Sequence, residues 1–512
     1  MPLTKTTISQ KGSWAALPTE LQEHILRFLL HDGCSLARFA TVSEQWRAII
    51  ERHNFQHVKL SFSRVPQLGS MTVRAQALVK SIWLTFELRE YGCSCHRSQR
   101  TFETYGLRKK ESLLRKAFRA LFLTLGEWDP QGDLKLDLTI HSPSDSHYWF
   151  KYLSFEPDFP VPPSQPSFVL PNDPAHGWVY GKLTSAPKAS ALRTVFESNP
   201  IDTTGLLRVE NQWWNGLPQV PAVKTLIIRL QNRRQWSPSM LAAMLPRLPS
   251  IEEFYYEPWR AWDPSRQADT DELYCSFFDS LAMSTSLKKL VVFENFDEQY
   301  ALAFKRCQRM REVCLKVTRA LFKASLELEH LSASFVTGAD HFLQAVEPGW
   351  KWPHLQSLTL TSTLLDAQSN PGTVNTMLQA VASTALSRMP KLRTFEVWHG
   401  RVGSAALFSY RVDEHGYTRI SWKATWRLTL DSCVIKGWES VARAHGHTPD
   451  FRVHEFVDET ANIHSHADAI CFLGMSKVLR PVSLQQILRA HEIRREGIPR
   501  ELAINNPPST SL

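Results

Sequence analysis

This 512-residue sequence lacks long apolar runs, and its first residues have little apolar character. No stretch approaches the roughly 20 consecutive apolar residues that a transmembrane helix needs. The first 13 residues are polar and contain no apolar core, which argues against a signal peptide. We therefore expect a protein that works away from membranes, in the cytoplasm, the nucleus or both.

Cysteine is also scarce. Eight cysteines spread along the chain suit a reducing compartment and argue against a disulfide framework. The most closely spaced pair, Cys93-x-Cys95 followed by His96, lacks the spacing of about two to four residues that is typical of zinc sites. We interpret these cysteines as ordinary thiols.

Common catalytic motifs are missing as well: there is no Gly-x-Ser-x-Gly elbow, Walker loop or Gly-x-Gly-x-x-Gly. Residues 445–466 alone concentrate candidate chemistry, with carboxylates among five histidines: His445, His447, His454, His464 and His466. They contain no His-Glu-x-x-His. A hydrolase or metal-binding protein that uses this segment is the alternative hypothesis. We expect a binding protein instead, with no catalytic residue, metal or cofactor.

What is present is the composition of a globular protein, with 43% apolar and 21% charged residues. The formal charge of +9 is scattered and not concentrated in blocks. Mild basicity of this kind suits an acidic protein partner, and nucleic-acid binding is not expected. A chain this long predicts several domains or a repeat architecture.

From about residue 200 onwards, a short sequence motif recurs in which proline is followed by apolar residues at fixed spacing. Its four full copies contain Val220-Pro221, Leu248-Pro249, Trp352-Pro353 and Met389-Pro390. Three looser copies lack the proline and end at Leu290/Val292, Val313/Leu315 and Leu331/Ala333. Proline ends an incoming helix, and alternate apolar residues suit a short strand. The intervals of 18–37 residues between copies bracket the leucine-rich-repeat range of roughly 20–29.

We therefore predict an α/β fold whose strand–helix units stack into an irregular, leucine-rich-repeat-like solenoid. Its strands should include Leu226/Ile228, Phe254/Tyr256, Leu290/Val292, Leu358/Leu360 and Phe395/Val397. Solenoids bind through their strand-lined face, so an unidentified protein substrate should contact residues there such as Thr359 and Glu396. An ordinary α/β domain is the alternative.

Composition and periodicity divide the chain into four parts. Residues 13–56 predict a helical module, and 57–185 a divergent α/β segment with a proline-rich loop at 157–174. Residues 186–480 carry the repeat-like region, and 481–512 a C-terminal helix and tail. The module is too small to bury its own apolar faces, so it needs a partner or a packed neighbour.

Two stretches of the helical module carry a family resemblance. Residues 17–29, which begin with Leu17-Pro18 and continue through Ile25-Leu26, resemble the opening of an F-box. Residues 42–50, with Val42-Ser43 and Trp46-Arg47, are similar to its close. The fold that this resemblance implies is a small N-terminal three-helix F-box ahead of the α/β solenoid.

The resemblance also implies a function. In the F-box family this motif binds a Skp-type adaptor on a cullin scaffold, and the C-terminal part selects a protein substrate for ubiquitin transfer. The residues that match the family's adaptor-binding positions are Leu17, Pro18, Leu21, Ile25, Leu26, Leu29, Val42 and Trp46. The chain departs from the pattern at residues 30–34 and at Glu44-Gln45, where a basic pair is usual.

Overall fold

The structure is a computed structural model, and it describes most of the chain. The described residues are 14, 17, 18, 20–22, 24, 25, 28, 36–93, 103–129, 132–159, 172–196, 212–234, 236–261, 263–305 and 307–497. Side chains are not described for 36–38, 103–113, 450 and 451. The predicted positions Leu26 and Leu29 therefore lie outside the described residues, as do Cys95 and His96.

Strands and helices alternate along the described chain. The strands are β1 His57–Ser61, β2 Ser81–Glu87, β3 Leu134–His141, β4 Trp178–Val179, β5 Lys182–Leu183, β6 Val223–Ile228, β7 Glu253–Tyr256, β8 Lys289–Phe293, β9 His330–Gly338, β10 Ser357–Thr361, β11 Thr394–Arg401, β12 Ser404–Val412, β13 Tyr417–Ala424 and β14 Thr448–Val457. The α-helices whose two ends lie within the described residues are α1 Glu44–Gln56, α2 Leu68–Thr72, α3 Glu103–Gly126, α4 Ala189–Phe196, α5 Pro238–Met244, α6 Pro264–Ala282, α7 Glu298–Ala303, α8 Leu315–Ala324, α9 Ala339–Ala345, α10 Pro371–Arg388, α11 Ser432–Ala444, α12 His466–Leu473 and α13 Pro481–Glu496.

Within the described residues, 12 of the strands form one large sheet whose spatial order follows chain order. The first nine of these, β1 to β3 and β6 to β11, pair in parallel. β11, β12 and β13 pair antiparallel, and β14 joins β13 in parallel. β4 and β5 form a separate hairpin. The predicted α/β class is confirmed, with a large mixed sheet.

Most copies of the recurring proline motif lead into a strand, as predicted. All five predicted strand pairs lie in strands: β6, β7, β8, β10 and β11. The side chains that point to the helices, such as Phe254 and Tyr256, are buried in the main core. The residues between them, such as Tyr255 and Val291, are also buried, on the opposite face. Burial on both faces explains why these strands are apolar runs and not alternating ones.

One predicted strand is wrong. Leu315 is the first residue of α8, and no strand covers residues 310–315. The apolar residues that follow have helical and not strand spacing. Val317, Leu321 and Phe322 are buried against the main core, at a spacing that suits one face of a helix. The antiparallel pairing of β12 and β13 also departs from a strict strand–helix repeat. The leucine-rich-repeat-like solenoid as a whole stays a prediction.

The main core lies between the sheet and a row of helices on one of its faces. α5, α6, α8, α10 and α11 each supply buried residues, for example Leu241, Phe277, Leu321, Leu378 and Trp438. Neighbouring helices in this row also pack on each other: α5 on α6, α6 on α8, and α10 on α11. Each strand–helix unit is therefore covered by the next.

A second core covers part of the other sheet face. Trp398 and Leu407 point into it, while their strand neighbours Val397 and Phe408 point into the main core. α4, α12 and α13 supply its helical side, together with Trp178 of the small hairpin. The strand-lined face is thus not left open along its whole length, a feature that the repeat pattern did not predict.

Buried charges hold the C-terminal helix α13 onto this face. The Arg494 guanidinium donates to the Asp297 carboxylate, and both side chains are almost fully buried. Near the start of α13, the Glu257 carboxylate accepts from the Ser483 hydroxyl and from the Arg480 main-chain N–H. Burial favours a raised pKa for Asp297, but the charge of Arg494 overcomes it and holds the pKa below its usual value.

Removing Arg494 should therefore be costly. We expect Arg494→Ala to leave Asp297 buried without its counter-charge and to lower the free energy of unfolding by about 3–5 kcal/mol. The matched control is Arg495→Ala, because Arg495 is partly exposed and pairs with its neighbour Glu496; it should cost less than about 1 kcal/mol. Urea unfolding followed by tryptophan fluorescence measures both, and equal midpoints for the two variants would contradict the assignment.

Candidate functional site

The N-terminal module begins at a turn that proline shapes. The Pro18 carbonyl accepts hydrogen bonds from the main-chain N–H groups of Leu21 and Gln22. The described residues that follow, Glu20 to Gln22, His24, Ile25 and Phe28, are helical. A 3-10 turn at Leu36–Thr41 and helix α1 complete the module. Three helical pieces are therefore present where the sequence predicted three short helices.

The Gln22 side chain stabilises the start of this module with two hydrogen bonds. Its Nε2 donates to the carbonyls of Trp14, at 2.9 Å, and Leu17, at 2.8 Å. The side chain is only 3% exposed, so these bonds are shielded from water.

Trp46 has a structural place in the module. The Ser43 hydroxyl caps α1 by accepting from the Trp46 main-chain N–H at 3.1 Å, as the sequence predicted. The Trp46 ring contacts the rings of Trp14, at a centroid distance of 4.9 Å, and Phe39, at 6.1 Å. The ring therefore links α1 to the segments before it and is only half-buried.

Several large apolar side chains of the module are exposed to solvent. Leu21 is 50% exposed, Ile25 41%, Phe28 61% and Val42 61%. We call these four side chains the apolar row. Pro18 is exposed beside it, whereas Leu17 is partly buried. Phe28 was placed on the helix face by its spacing but was not among the predicted adaptor-binding residues. An exposed group of large apolar side chains marks a contact surface.

The module is joined to the body without a linker. Helix α1 ends at Gln56 and β1 begins at His57, and the Gln56 carbonyl accepts from the Lys80 main-chain N–H at 2.9 Å. Ile50 is fully buried, and Phe55 packs against the main core. Helix α1 is thus held in a fixed position on the sheet.

The histidines of residues 445–466 lie in several different environments. His445 and His447 follow the end of α11, and His454 is within β14, opposite Ser421. His464 is exposed. His466 is buried, with Nε2 at 2.8 Å from the Asn295 side-chain oxygen, and burial lowers its pKa to about 3.

These placements do not form the single deep pocket that the alternative hypothesis requires. Among the residues that the structure describes, no three His, Cys, Asp or Glu side chains are placed to hold a metal ion. Cys93 is disulfide-bonded, so its interpretation as a plain thiol is wrong. None of the described helices is long and apolar enough to cross a membrane.

Comparison with known families gives two matches. Residues 14–60 match the F-box-like family, and residues 282–480 match a family of unknown function, DUF6546. No curated protein matches the chain at a significant level. The first match covers the whole module and every predicted adaptor-binding residue. The second covers β8 to β14, the row of helices beside them and α12.

The F-box-like match supports the resemblance drawn from the sequence. It supports a role for the chain as an F-box adaptor in a ubiquitin ligase of the Skp–cullin–F-box type, and it implies binding of a Skp-type adaptor within a cullin complex. F-box proteins are generally non-catalytic adaptors. The C-terminal match is to a family without an assigned function and gives no support for leucine-rich repeats.

Gln22 should be required for an ordered module. We expect Gln22→Ala to leave the Trp14 and Leu17 carbonyls without their donor, at a cost of about 1–3 kcal/mol in local stability. Hydrogen–deuterium exchange of peptides that cover residues 14–28 should accelerate accordingly. Glu20→Ala, at an exposed position of the same helix, is the control and should leave exchange unchanged. Identical exchange in both variants would show that the two hydrogen bonds do not order the module.

Proposed function

We propose that this protein is the substrate-recognition adaptor of a Skp–cullin–F-box ubiquitin ligase, with the apolar row as the docking surface for the Skp-type adaptor. The observation that carries the proposal is the exposure of Leu21, Ile25, Phe28 and Val42 on one small module, inside the segment that matches the F-box-like family. Leu17, Pro18, Leu26, Leu29 and Trp46 complete the proposed site, with Trp46 acting through the shape of the module. The proposed location is the cytoplasm, the nucleus or both.

The apolar area available for burial gives the size of the binding free energy to expect. Moving two large aliphatic side chains from water into a partner contributes roughly 3–6 kcal/mol before the cost of ordering. Leu21 and Ile25, which are 50% and 41% exposed, would contribute about half of that, roughly 1.5–3 kcal/mol. A partner that buries the whole row would gain more, which is enough for a stable adaptor complex at cellular concentrations.

The proposal assigns substrate binding to the body, residues 57–480, and support of its strand-lined face to α13. Consecutive strands that pair in chain order support a solenoid-like array. Of the two residues predicted on this face, Thr359 is 6% and Glu396 8% exposed. Glu396 also accepts from the Arg411 guanidinium. These two residues therefore present little surface to a substrate.

A more open part of the same face lies at β12 to β14. A cleft of about 830 Å³ runs along these strands. Tyr417 is 58% and Phe456 55% exposed, and Arg411 and Arg419 lie beside them. Exposed aromatic and arginine side chains are the residues most enriched at the energetic centres of protein interfaces. We place the protein substrate in this cleft, which we call the β12–β14 cleft.

The adaptor-docking half of the proposal makes a direct prediction. The double variant Leu21→Ala with Ile25→Ala should bind a purified Skp-type adaptor about 10- to 100-fold more weakly, since each ~1.4 kcal/mol is a factor of ten. Met283→Ala with Leu386→Ala removes two exposed apolar side chains elsewhere and should bind like the wild type. Biolayer interferometry measures both, and circular dichroism checks that the module still folds. If the double variant folds and binds the Skp-type adaptor with wild-type affinity, the F-box assignment is wrong.

The substrate half can be tested without knowing the substrate. Affinity purification with quantitative mass spectrometry should recover a Skp-type adaptor and a cullin with both the wild type and the variant Tyr417→Ala with Phe456→Ala. Other co-purifying proteins should be depleted from the variant alone, because their contact surface is gone. If the same proteins are recovered in equal amounts, the β12–β14 cleft is not the substrate surface.

A further inference from the structure

A pocket of about 480 Å³ opens at the carboxyl ends of the parallel strands β8 to β11. Ligands of open α/β sheets bind outside the carboxyl ends of the strands, because the loops that follow them converge there. The loop after β8, the turns after β9 and β10, and the end of β11 all contribute to the walls. None of the contacts that carry the adaptor function involves this pocket.

A strained bulge forms part of the pocket wall. Between β10 and β9 the register moves from Leu360 opposite Ala333 to Thr361 opposite Gly338. Phe335, in the residues that this shift leaves out, has φ of +64°, a conformation rarely adopted by a bulky side chain. Bulges and residues of this kind are over-represented beside ligand sites.

Five arginines line the pocket, and most of them already have an anionic partner. Arg311 donates to Asp271 at 2.6 Å and lies 3.3 Å from the buried Glu294 carboxylate. Arg401 lies 3.3 Å from Asp366. Arg495 pairs with Glu496 at the end of α13. These three cations are neutralised within the protein.

The other two arginines form no ion pair with a carboxylate that the structure describes, although Arg260 is close enough to Glu294 to interact with its charge. Arg260 donates its guanidinium N–H groups to the main-chain carbonyls of Gln308 and Arg309, which carry no net charge. The Arg309 side chain makes no hydrogen bond or ion pair with any residue that the structure describes, and it is exposed at the pocket. The bonds from Arg260 hold the segment that presents Arg309. Arg309 therefore presents to the pocket a positive charge that no carboxylate of the described residues pairs with.

The apolar part of the wall consists of six side chains: Phe296, Phe335, Leu302, Met310, Val313 and Val402. Two carboxylates, Glu298 and Asp340, and four histidines also line the pocket. Glu298 accepts from the Val402 main-chain N–H, and Asp340 lies 2.8 Å from His341, so both carboxylates have partners of their own. The Phe296 ring also lies 5.1 Å from the Arg260 guanidinium. Binding pockets of this size combine an apolar lining with a few placed polar groups that orient the ligand. Here the apolar lining suits a hydrocarbon body and the arginines suit an oxyanion.

We propose that this pocket binds a small organic anion: a carboxylate or phosphate carried on an aromatic or branched aliphatic body. The oxyanion contacts Arg309, with Arg260 behind it, and the body lies against Phe296, Phe335 and Val402. Arg309 supplies two parallel N–H donors to the anion, a geometry that lysine lacks. The proposal is independent of the adaptor function, since it uses no residue of the apolar row.

Matched pairs of probes test the charge requirement. The anions are 4-phenylbutyrate and 1-naphthyl phosphate, and their neutral counterparts are 4-phenylbutyramide and 1-naphthol. We expect at least one anion to bind the full-length protein in isothermal titration calorimetry and its neutral counterpart to bind at least about tenfold more weakly. The carboxylate and phosphate arms show which oxyanion the pocket prefers. If neither anion binds, or if the neutral probes bind equally well, the proposal is overturned.

Variants place the binding in this pocket. Arg309→Gln should weaken the anion about tenfold or more, and Arg309→Lys should restore only part of the affinity because it keeps the charge and loses the paired donors. Lys305→Gln removes the same charge from an exposed position of the same segment and should leave binding unchanged. Val402→Trp, at a residue 52% exposed, should narrow the pocket and weaken both members of a pair. Equal losses in Arg309→Gln and Lys305→Gln would show non-specific attraction, and no loss in Val402→Trp would exclude the pocket.

Discussion

The body depends on one constraint: the carboxyl ends of its parallel strands carry charges, and those charges must be buried and paired. Arg229 directly follows β6, and its guanidinium donates through Nε and Nη2 to Oδ2 of Asp137 in β3, at 3.0 and 2.8 Å. Glu257, after β7, receives hydrogen bonds from α13. Unpaired buried charges would cost several kcal/mol each. The second core therefore stabilises the sheet in a specific way, because its helix α13 supplies the partners of Glu257 and Asp297.

Several features of the fold could be predicted from sequence because their signals are local. The helix-to-strand joints at Pro221, Pro249, Pro353 and Pro390 are visible as a proline followed by spaced apolar residues, and each leads into an observed strand. The Ser43 cap and the polar–apolar spacing around Ile25 likewise lie within a few residues of one another. Local capping and periodicity fix such elements whatever the rest of the chain does.

What the sequence could not provide were the long-range pairings. The packing of α12 and α13 on the strand-lined face joins residues such as Asn295 and His466, which are far apart in the chain. The helical start at Leu315 was mistaken for a strand because two spaced apolar residues fit both periods. The pocket beside β9 was missed because its residues are far apart in the sequence. Arg260, Arg309 and Phe335 share no motif and come together only in the folded protein.

The link between Asp297 and Arg494 also bears on synthesis, because the two residues are 197 positions apart. Chains are extended at about 5–20 residues per second, so the carboxylate is made roughly 10–40 s before its partner. The helix row and its strands can assemble from the N-terminal side during that interval, since each unit packs on the one before. The strand ends that α13 covers remain open until α13 has been made, so the second core is completed later than the helix row.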